Sequence, residues 1–587
     1  MPYTNRSLFF VLILCGASVQ FAVAGNSPVA DAAMNGDTAT VQTLLHDKAD
    51  VNAPQADGAT ALQWAAYRSN LQLADVLLKA GANPKLANHD GRTPLQLAAI
   101  RGDAPMIAKL LDAGADVNEL GVHDETPLMF AARNGSLPAL QLLLKRGAQV
   151  NAKESLRGTT ALMWAVEQGH ADAVKLLIQH GADVSVASGF DSKGGTAYLA
   201  PNIEQRAAQE KFFRRRTFEK AAEEASDGEK DPAKILAAKD AAAAARAFGI
   251  VKNTKGGGLT PLVLAARQNS MECAELLLAA HANVNQRTHY GWTALLTAIQ
   301  NRHYKLAAYL LDHGADPNIA NDGGWTPLYI AVDNRNIEGG DYPVRQPDMD
   351  HLDMIKMLIA KGANVNARVC GVESTPGHCK GDSTETRTIF TMQWLYEDGA
   401  TPFLRAAQSG DVEVMKLLLA HGADPKIATS NGDTALMVAA GIGWVEGVTY
   451  EWSKAENLEA VKMCLDLGID PNIADKDGRT ALHGAAHKGR NDVVLLLVDH
   501  GAKLDAEDNG SRDTFVGKLK GHRWEPIDYS RGLVRVGVQS AIAHPDTEAL
   551  LAKLMKARGI PVPAASGTSI CITDVCKGSS ADNSSPQ

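Results

Sequence analysis

A threonine followed by proline or alanine, and then by leucine or phenylalanine, recurs along this chain. It appears at Thr60, Thr93, Thr126, Thr160, Thr260, Thr293, Thr326, Thr401, Thr434 and Thr480. The steps from Thr60 to Thr93 to Thr126, from Thr260 to Thr293 to Thr326, and from Thr401 to Thr434 are each 33 residues. A fixed period of this length marks stacked supersecondary units, each too small to bury its own apolar face. The 587 residues therefore need no single large core.

Residues 60–92 show the unit whole: Thr60-Ala61-Leu62, Ala65-Ala66, Val76-Leu77-Leu78, Gly81-Ala82-Asn83 and Asp90-Gly91. Threonine accepts early backbone amides of a helix, and proline is tolerated in the first turn. Paired alanines let neighbouring units approach closely. The leucine pair supplies the core between units. Gly81, Gly114, Gly147, Gly181, Gly314, Gly362, Gly422, Gly468 and Gly501 suit the left-handed end of a second helix. Asp90-Gly91 and Asp477-Gly478 suit a projecting hairpin turn. His180, His313, His421 and His500 each precede such a glycine, where a histidine caps the helix end.

These motifs resemble the ankyrin repeat over residues 28–560, most closely that of exported bacterial ankyrin-repeat proteins. The resemblance implies an all-α repeat solenoid, a superhelix of about twelve helix-turn-helix units with projecting β-hairpin loops. It also implies a binding function with a protein partner, held on a concave face made by hairpin tips and first helices. Residues 1–24 read as a signal peptide, with Arg6, an apolar stretch Leu8–Leu14 and Ala22-Val23-Ala24 before the cut. Export to the periplasm or medium follows, with Cys15 leaving a lipid-anchored alternative. Residues 28–188 read as an N-terminal cap plus four repeats, 258–367 as repeats, and 400–560 as repeats with a C-terminal cap. Residues 189–257 form an Ala-rich, charged helical insertion, 368–399 an inserted loop, and 561–587 a disordered tail.

Two further insertions separate helices, around Glu338–Asp350 and over Gly441–Ala455. The latter reads Gly-Ile-Gly-Trp-Val-Glu-Gly-Val-Thr-Tyr-Glu-Trp-Ser-Lys-Ala. Long loops inside a compact array are functional or disordered, and three large aromatics argue for the former. Cys273 and Cys464 fall in apolar helix patterns and read as buried free thiols. Cys370 with Cys379, and Cys571 with Cys576, are close pairs able to form disulfides in an oxidising compartment.

The candidate partner surface takes hairpin-tip residues, positions after the alanine pairs, and loop aromatics. It comprises Tyr67, Arg68, Arg92, Arg101, Arg133, Tyr290, Trp292, Trp325, Trp394, Tyr396, Trp444, Tyr450, Trp452 and Arg479. Tryptophan, tyrosine and arginine dominate binding hot spots. The strongest expectation is a surface running from Trp292 to the Trp444–Trp452 loop, with side chains not held by packing. Trp64 and Trp164 read instead as packing residues.

A formal charge of −9 offers no sequence-wide attraction to phosphate, which excludes nucleic acid as a partner. No later segment is long and apolar enough to span a membrane. Phosphate loops, His-Glu-x-x-His and Gly-x-Ser-x-Gly are absent, so the reading is no enzyme, no cofactor, no metal, and a monomer. The alternative is a glycan or cell-wall-fragment site in the inserted loops, where Glu446 and Glu451 flank aromatics.

Overall fold

The structure, a computed structural model, describes residues 27–189, 257–289, 291–336, 346–369, 399–444, 451–510, 523–532, 534 and 542–564. The described residues hold twelve helix pairs. The first five are Pro28–Asn35 with Thr38–His46, Ala61–Tyr67 with Leu71–Lys79, Pro94–Arg101 with Ala104–Asp112, Pro127–Asn134 with Leu137–Lys145, and Ala161–Glu167 with Ala171–Gln179. Next come Pro261–Gln268 with Met271–Ala279, Ala294–Gln300 with Tyr304–Asp312, Pro327–Arg335 with His351–Ala360, and Pro402–Ser409 with Val412–Ala420. Ala435–Ala440 with Lys454–Asp466, Ala481–His487 with Asn491–Asp499, and Pro526–Ser530 with Pro545–Ala557 complete the array. The fold is an all-α repeat solenoid. The chain divides into two compact units, Met1–Glu154 with Gln179–Gly181, and Ser155–Ile178 with Ala182–Gln587.

In each unit the first helix of one pair packs on the first helix of the next. Alanine pairs permit this approach, and Ala65, Ala66, Ala98, Ala99, Ala131 and Ala132 are wholly buried. Second helices contribute Leu73, Leu77, Ile107, Leu110, Leu140 and Leu143 to the core between pairs. The hydroxyls of Thr93, Thr126, Thr160, Thr260, Thr293, Thr326, Thr401 and Thr434 accept the amide three residues on, which satisfies a helix-end donor. Hairpin loops close on themselves and on their neighbours: Asn88 N–H donates to Arg92 C=O, and His89 N–H to Asp57 C=O. They are too short to form strands among the described residues.

Asparagine side chains tie one repeat to the next. The Asn118 amide donates to Gly147 C=O and its oxygen accepts the Gln149 N–H. Asn52, Asn285, Asn318, Asn366 and Asn472 each repeat this two-bond clasp on the following repeat. His313, His421 and His500 place Nδ1 2.8 to 2.9 Å from the carbonyl four residues earlier, as the capping reading expects.

Where a glycine ends a second helix it is left-handed, with φ of +90° at Gly81, +94° at Gly114 and +88° at Gly314. His281 stands at that place in its repeat with φ +64° and an exposed side chain. A β-carbon there costs about 1–2 kcal/mol of steric strain, against about 0.5–1 kcal/mol of extra chain entropy for glycine. His281→Gly is therefore expected to raise the urea midpoint by the equivalent of ~0.5 kcal/mol. A lowered midpoint would contradict this account of the helix ends.

Candidate functional site

Helix periodicity puts Leu62, Ala65 and Ala66 inward and leaves Trp64 and Tyr67 on the inner face of the second repeat. Trp64 is half-buried. Its Nε1 donates to Gln55 Oε1 at 2.6 Å, and its ring meets Tyr67 edge-on at 5.9 Å. Tyr67 is 51% exposed. Ile100 holds the equivalent place one repeat on and is 40% exposed, while the next hairpin presents Leu120 at 58% and Val122 at 61%. Arg68, Arg101 and Arg133 are exposed beside them, and the Arg101 guanidinium lies 6.0 Å from the Tyr67 ring centre. One unit thus holds four of the seven large exposed apolar side chains among the described residues. The other three are Trp452, Ile473 and Leu495.

In the later repeats of the second unit the corresponding places are filled by the chain itself, although Gln168 and Gln268 hold the same place in its first two repeats and are exposed. Gln408, Ser409, Gly441 and Lys488 are buried where the first unit exposes Tyr67 and Arg101. The segment ending the Gly441–Ala455 insertion lies across these helices. Trp452 N–H donates to Ser409 C=O at 3.2 Å, and its Nε1 to Asn336 Oδ1 at 2.9 Å. Arg335 stacks 4.5 Å from the Trp452 ring and donates to Asp411 and Glu413, each at 2.9 Å. Beneath it Arg405, without exposed surface, donates to Asp333 Oδ1 at 2.6 Å, Ser409 Oγ at 2.9 Å and Asn336 C=O at 2.8 Å. Asp411 Oδ2 also accepts the Asn336 amide at 3.1 Å.

A second polar cluster anchors the other side of the insertion. Glu451 Oε1 lies 3.1 Å from Lys488 Nζ and 2.8 Å from Arg490 Nη1. Arg490 further donates to Asn457, Asp492 and the Lys454 carbonyl. Lys488 sits 5.4 Å from the Trp444 ring centre. Burial pushes its ammonium down to about 8, against the pull of Glu451. Glu451 is thus held by two cations, a role that accounts for its position without glycan chemistry.

Several expectations need correction. Trp325 is wholly buried: Asn321 Oδ1 accepts both the Gly323 and Trp325 amides, and the tight turn folds the indole back onto Tyr329, 5.0 Å away and edge-on. Arg479 is not a free tip residue. It donates to Asp475 at 2.8 Å and Asp477 at 3.1 Å, with 18% of its side chain exposed. Arg92 is likewise held by packing, 3.3 Å from Glu125 and 4.7 Å from the Phe130 ring centre. Trp444 and Trp452 are clasped as described, and Trp292 is half-buried. Trp524 is also buried.

Tyr67, Arg68, Arg101 and Arg133 lie where the sequence places them, on one exposed face. Ile100, Leu120 and Val122 were missed, although Ile100 shares the register of Tyr67 and that was a readable signal. Tyr290, Trp394, Tyr396, Tyr450, Cys370, Cys379, Cys571 and Cys576 lie outside the described residues. Cys273 and Cys464 are buried free thiols, and burial pushes the Cys464 thiol up to about 12. Among the described residues no group of three or more His, Cys, Asp or Glu is placed to hold a metal, and no helix is long and apolar enough to cross a membrane.

The family described as ankyrin repeats (3 copies) matches residues 29–121, 119–188, 225–321, 262–369, 381–450 and 452–511, well over half of the chain. The match beginning at residue 225 reaches into the segment that sequence alone sets aside as an insertion. A solved structure, the human ASB11 ankyrin repeat domain, is similar at 22% identity and a TM-score of 0.35, covering 50% of this chain and 100% of that one. Comparison with curated proteins gave no match. Ankyrin repeats generally mediate protein–protein interaction and are typically non-enzymatic. The chain belongs to the ankyrin-repeat family.

Proposed function

We propose that this protein is an exported adaptor, of the kind found among exported bacterial ankyrin-repeat proteins, and that its protein partner seats on the inner face of residues 57–134. One observation carries the choice of face: Tyr67, Ile100, Leu120 and Val122 stand exposed together, while in the second unit Trp452 lies on the equivalent helices around Asn336 and Ser409. Exposed apolar patches rimmed by polar residues mark interaction sites. Residues 1–24 are read as the export signal, so the mature chain begins at Gly25 in the periplasm or medium as a monomer without cofactor.

Site-specific photo-crosslinking tests this. A photoreactive residue is placed at position 67 or 100, and in a control at position 495, which is exposed on a second helix. A single protein adduct is expected from positions 67 and 100 and none from 495. Adducts from 495 alone would move the partner off this face. A product that retains residues 1–24 and stays in the cytoplasm would remove the export reading.

A further inference from the structure

The inner face of the first unit carries opposite charges along its two edges. Each first helix starts immediately after its hairpin tip, so the tips form one edge and the helix ends the other. Asp57 and Asp90 stand exposed on the tips, with Asp124 partly exposed beside them. Arg68, Arg101 and Arg133 stand exposed at the helix ends. Neither Arg68 nor Arg101 forms an ion pair with a carboxylate among the described residues. Between the edges lie Trp64, Tyr67 and Ile100, with Leu120 and Val122 on the tip side.

The dimensions select the shape of what fits. Pro94–Arg101 is 8 residues long, about 12 Å at 1.5 Å per residue, and the tips lie beyond its start, so the strip between the edges is wide enough for an α-helix with its side chains. An extended strand would need unpaired backbone along one edge. The tips offer little of that, because His89 N–H is already given to Asp57 C=O of the neighbouring hairpin. An α-helix lying along the face needs no backbone partners, only an apolar stripe and compatible flanks.

We infer, resting on the adaptor reading above, that the partner's docking segment is an amphipathic α-helix with an apolar spine, an acidic flank and a basic flank. Its carboxylates face Arg68, Arg101 and Arg133, and its cations face Asp57, Asp90 and Asp124. The apolar spine covers Tyr67 and Ile100. Such a ligand can lie along the face in only one direction, because turning it end for end brings like charges together. The edge charges therefore set the polarity of the complex as well as its partner choice.

The test uses the purified full chain and three fluorescent synthetic helices of about five turns, with identical leucine spines. One carries glutamate on one flank and lysine on the other, one glutamate on both, and one lysine on both. Anisotropy at low salt is expected to rank the mixed helix tightest, by about tenfold, since several weak rim pairs act together. Arg68→Glu with Arg101→Glu is expected to move the preference to the all-lysine helix. Asp57→Lys with Asp90→Lys is expected to move it to the all-glutamate helix. These side chains are exposed, so the variants should keep the parent circular dichroism, which is checked first.

Equal affinities for the three helices, or tightest binding of the all-lysine helix to the parent chain, would overturn the inference. The latter would mean that only the net charge of −9 is being read. If Tyr67→Ala with Ile100→Ala weakened all three alike and no flank preference existed, the partner face would stand and the polarised-helix inference would fall. Loss of the adaptor reading itself would appear separately, in the crosslinking pattern.

Discussion

Arg405→Met is expected to cost the protein about 3–5 kcal/mol, the range for removing one partner of a buried ion pair. The guanidinium has no exposed surface, and it satisfies Asp333, Ser409 and the Asn336 carbonyl at once. Methionine fills much of the same volume but takes the Arg405 guanidinium away from the Asp333 carboxylate, which is 5% exposed. Asn336 is also the residue that receives Trp452, so the insertion should loosen with the helix beneath it. Repeat arrays unfold with nearest-neighbour coupling, which confines the damage to the repeats around Pro402–Ser409. Urea unfolding followed by tryptophan emission, with amide exchange of residues 402–420, reads both effects. A paired change, Arg405→Met with Asp333→Leu, should recover part of the loss, because carboxylate and guanidinium go together, while the Arg302 cation stays behind without the Asp333 charge. A midpoint unchanged in the single variant would show that the pair contributes nothing to holding these repeats together.

This network also marks the limit of what the sequence discloses. Threonine caps, left-handed glycines and alanine pairs act within one repeat or between identical repeats, so their period exposes them. Arg405 reaches back 72 residues to Asp333 across two interruptions of that period, and no spacing rule connects the two. The tip tryptophans failed for a related reason. Exposure of a hairpin residue depends on its place in the hairpin: the residue directly before the capping threonine packs inward, as Trp325 and Glu125 both do, whereas Val122, three residues earlier, stays outside. Counting aromatics therefore favoured the second half of the chain. The exposed surface lies in the first, where Tyr67 was legible and the aliphatic Ile100, Leu120 and Val122 carried no hot-spot signature.

His483→Gln is expected to flatten the acid sensitivity of the second unit. His483 is wholly buried, and its Nδ1 accepts the Thr480 N–H at 3.0 Å while Nε2–H donates to Trp524 C=O at 3.2 Å. The neutral ring satisfies both partners. Protonation would point a second N–H at the Thr480 amide. Burial, aided by Arg479, lowers the ring to about 4 from its ordinary 6.5. With the folded value below the unfolded one, the unfolded chain takes the proton first. The stability tied to this ring is complete above pH ~6.5 and is lost as pH falls toward 4, a difference on the order of 3 kcal/mol. His487 and His351 are lowered in the same direction, chiefly by burial. Asp433 and Glu525, raised by burial to about 6 and about 7, oppose them, so the slope of the parent protein is a difference of terms. The substitution isolates one term. Gln63 already does this work in the second repeat, its Oε1 accepting the Thr60 N–H at 2.6 Å and its Nε2 donating to Arg92 C=O at 2.6 Å. Glutamine at 483 can keep both hydrogen bonds and does not titrate. The variant should match the parent at pH 7.5 and exceed it in urea midpoint at pH 4.5. Parallel stability curves from pH 7.5 to 4.5 would mean that His483 carries no proton-linked stability, and that the acid response belongs to the other buried groups.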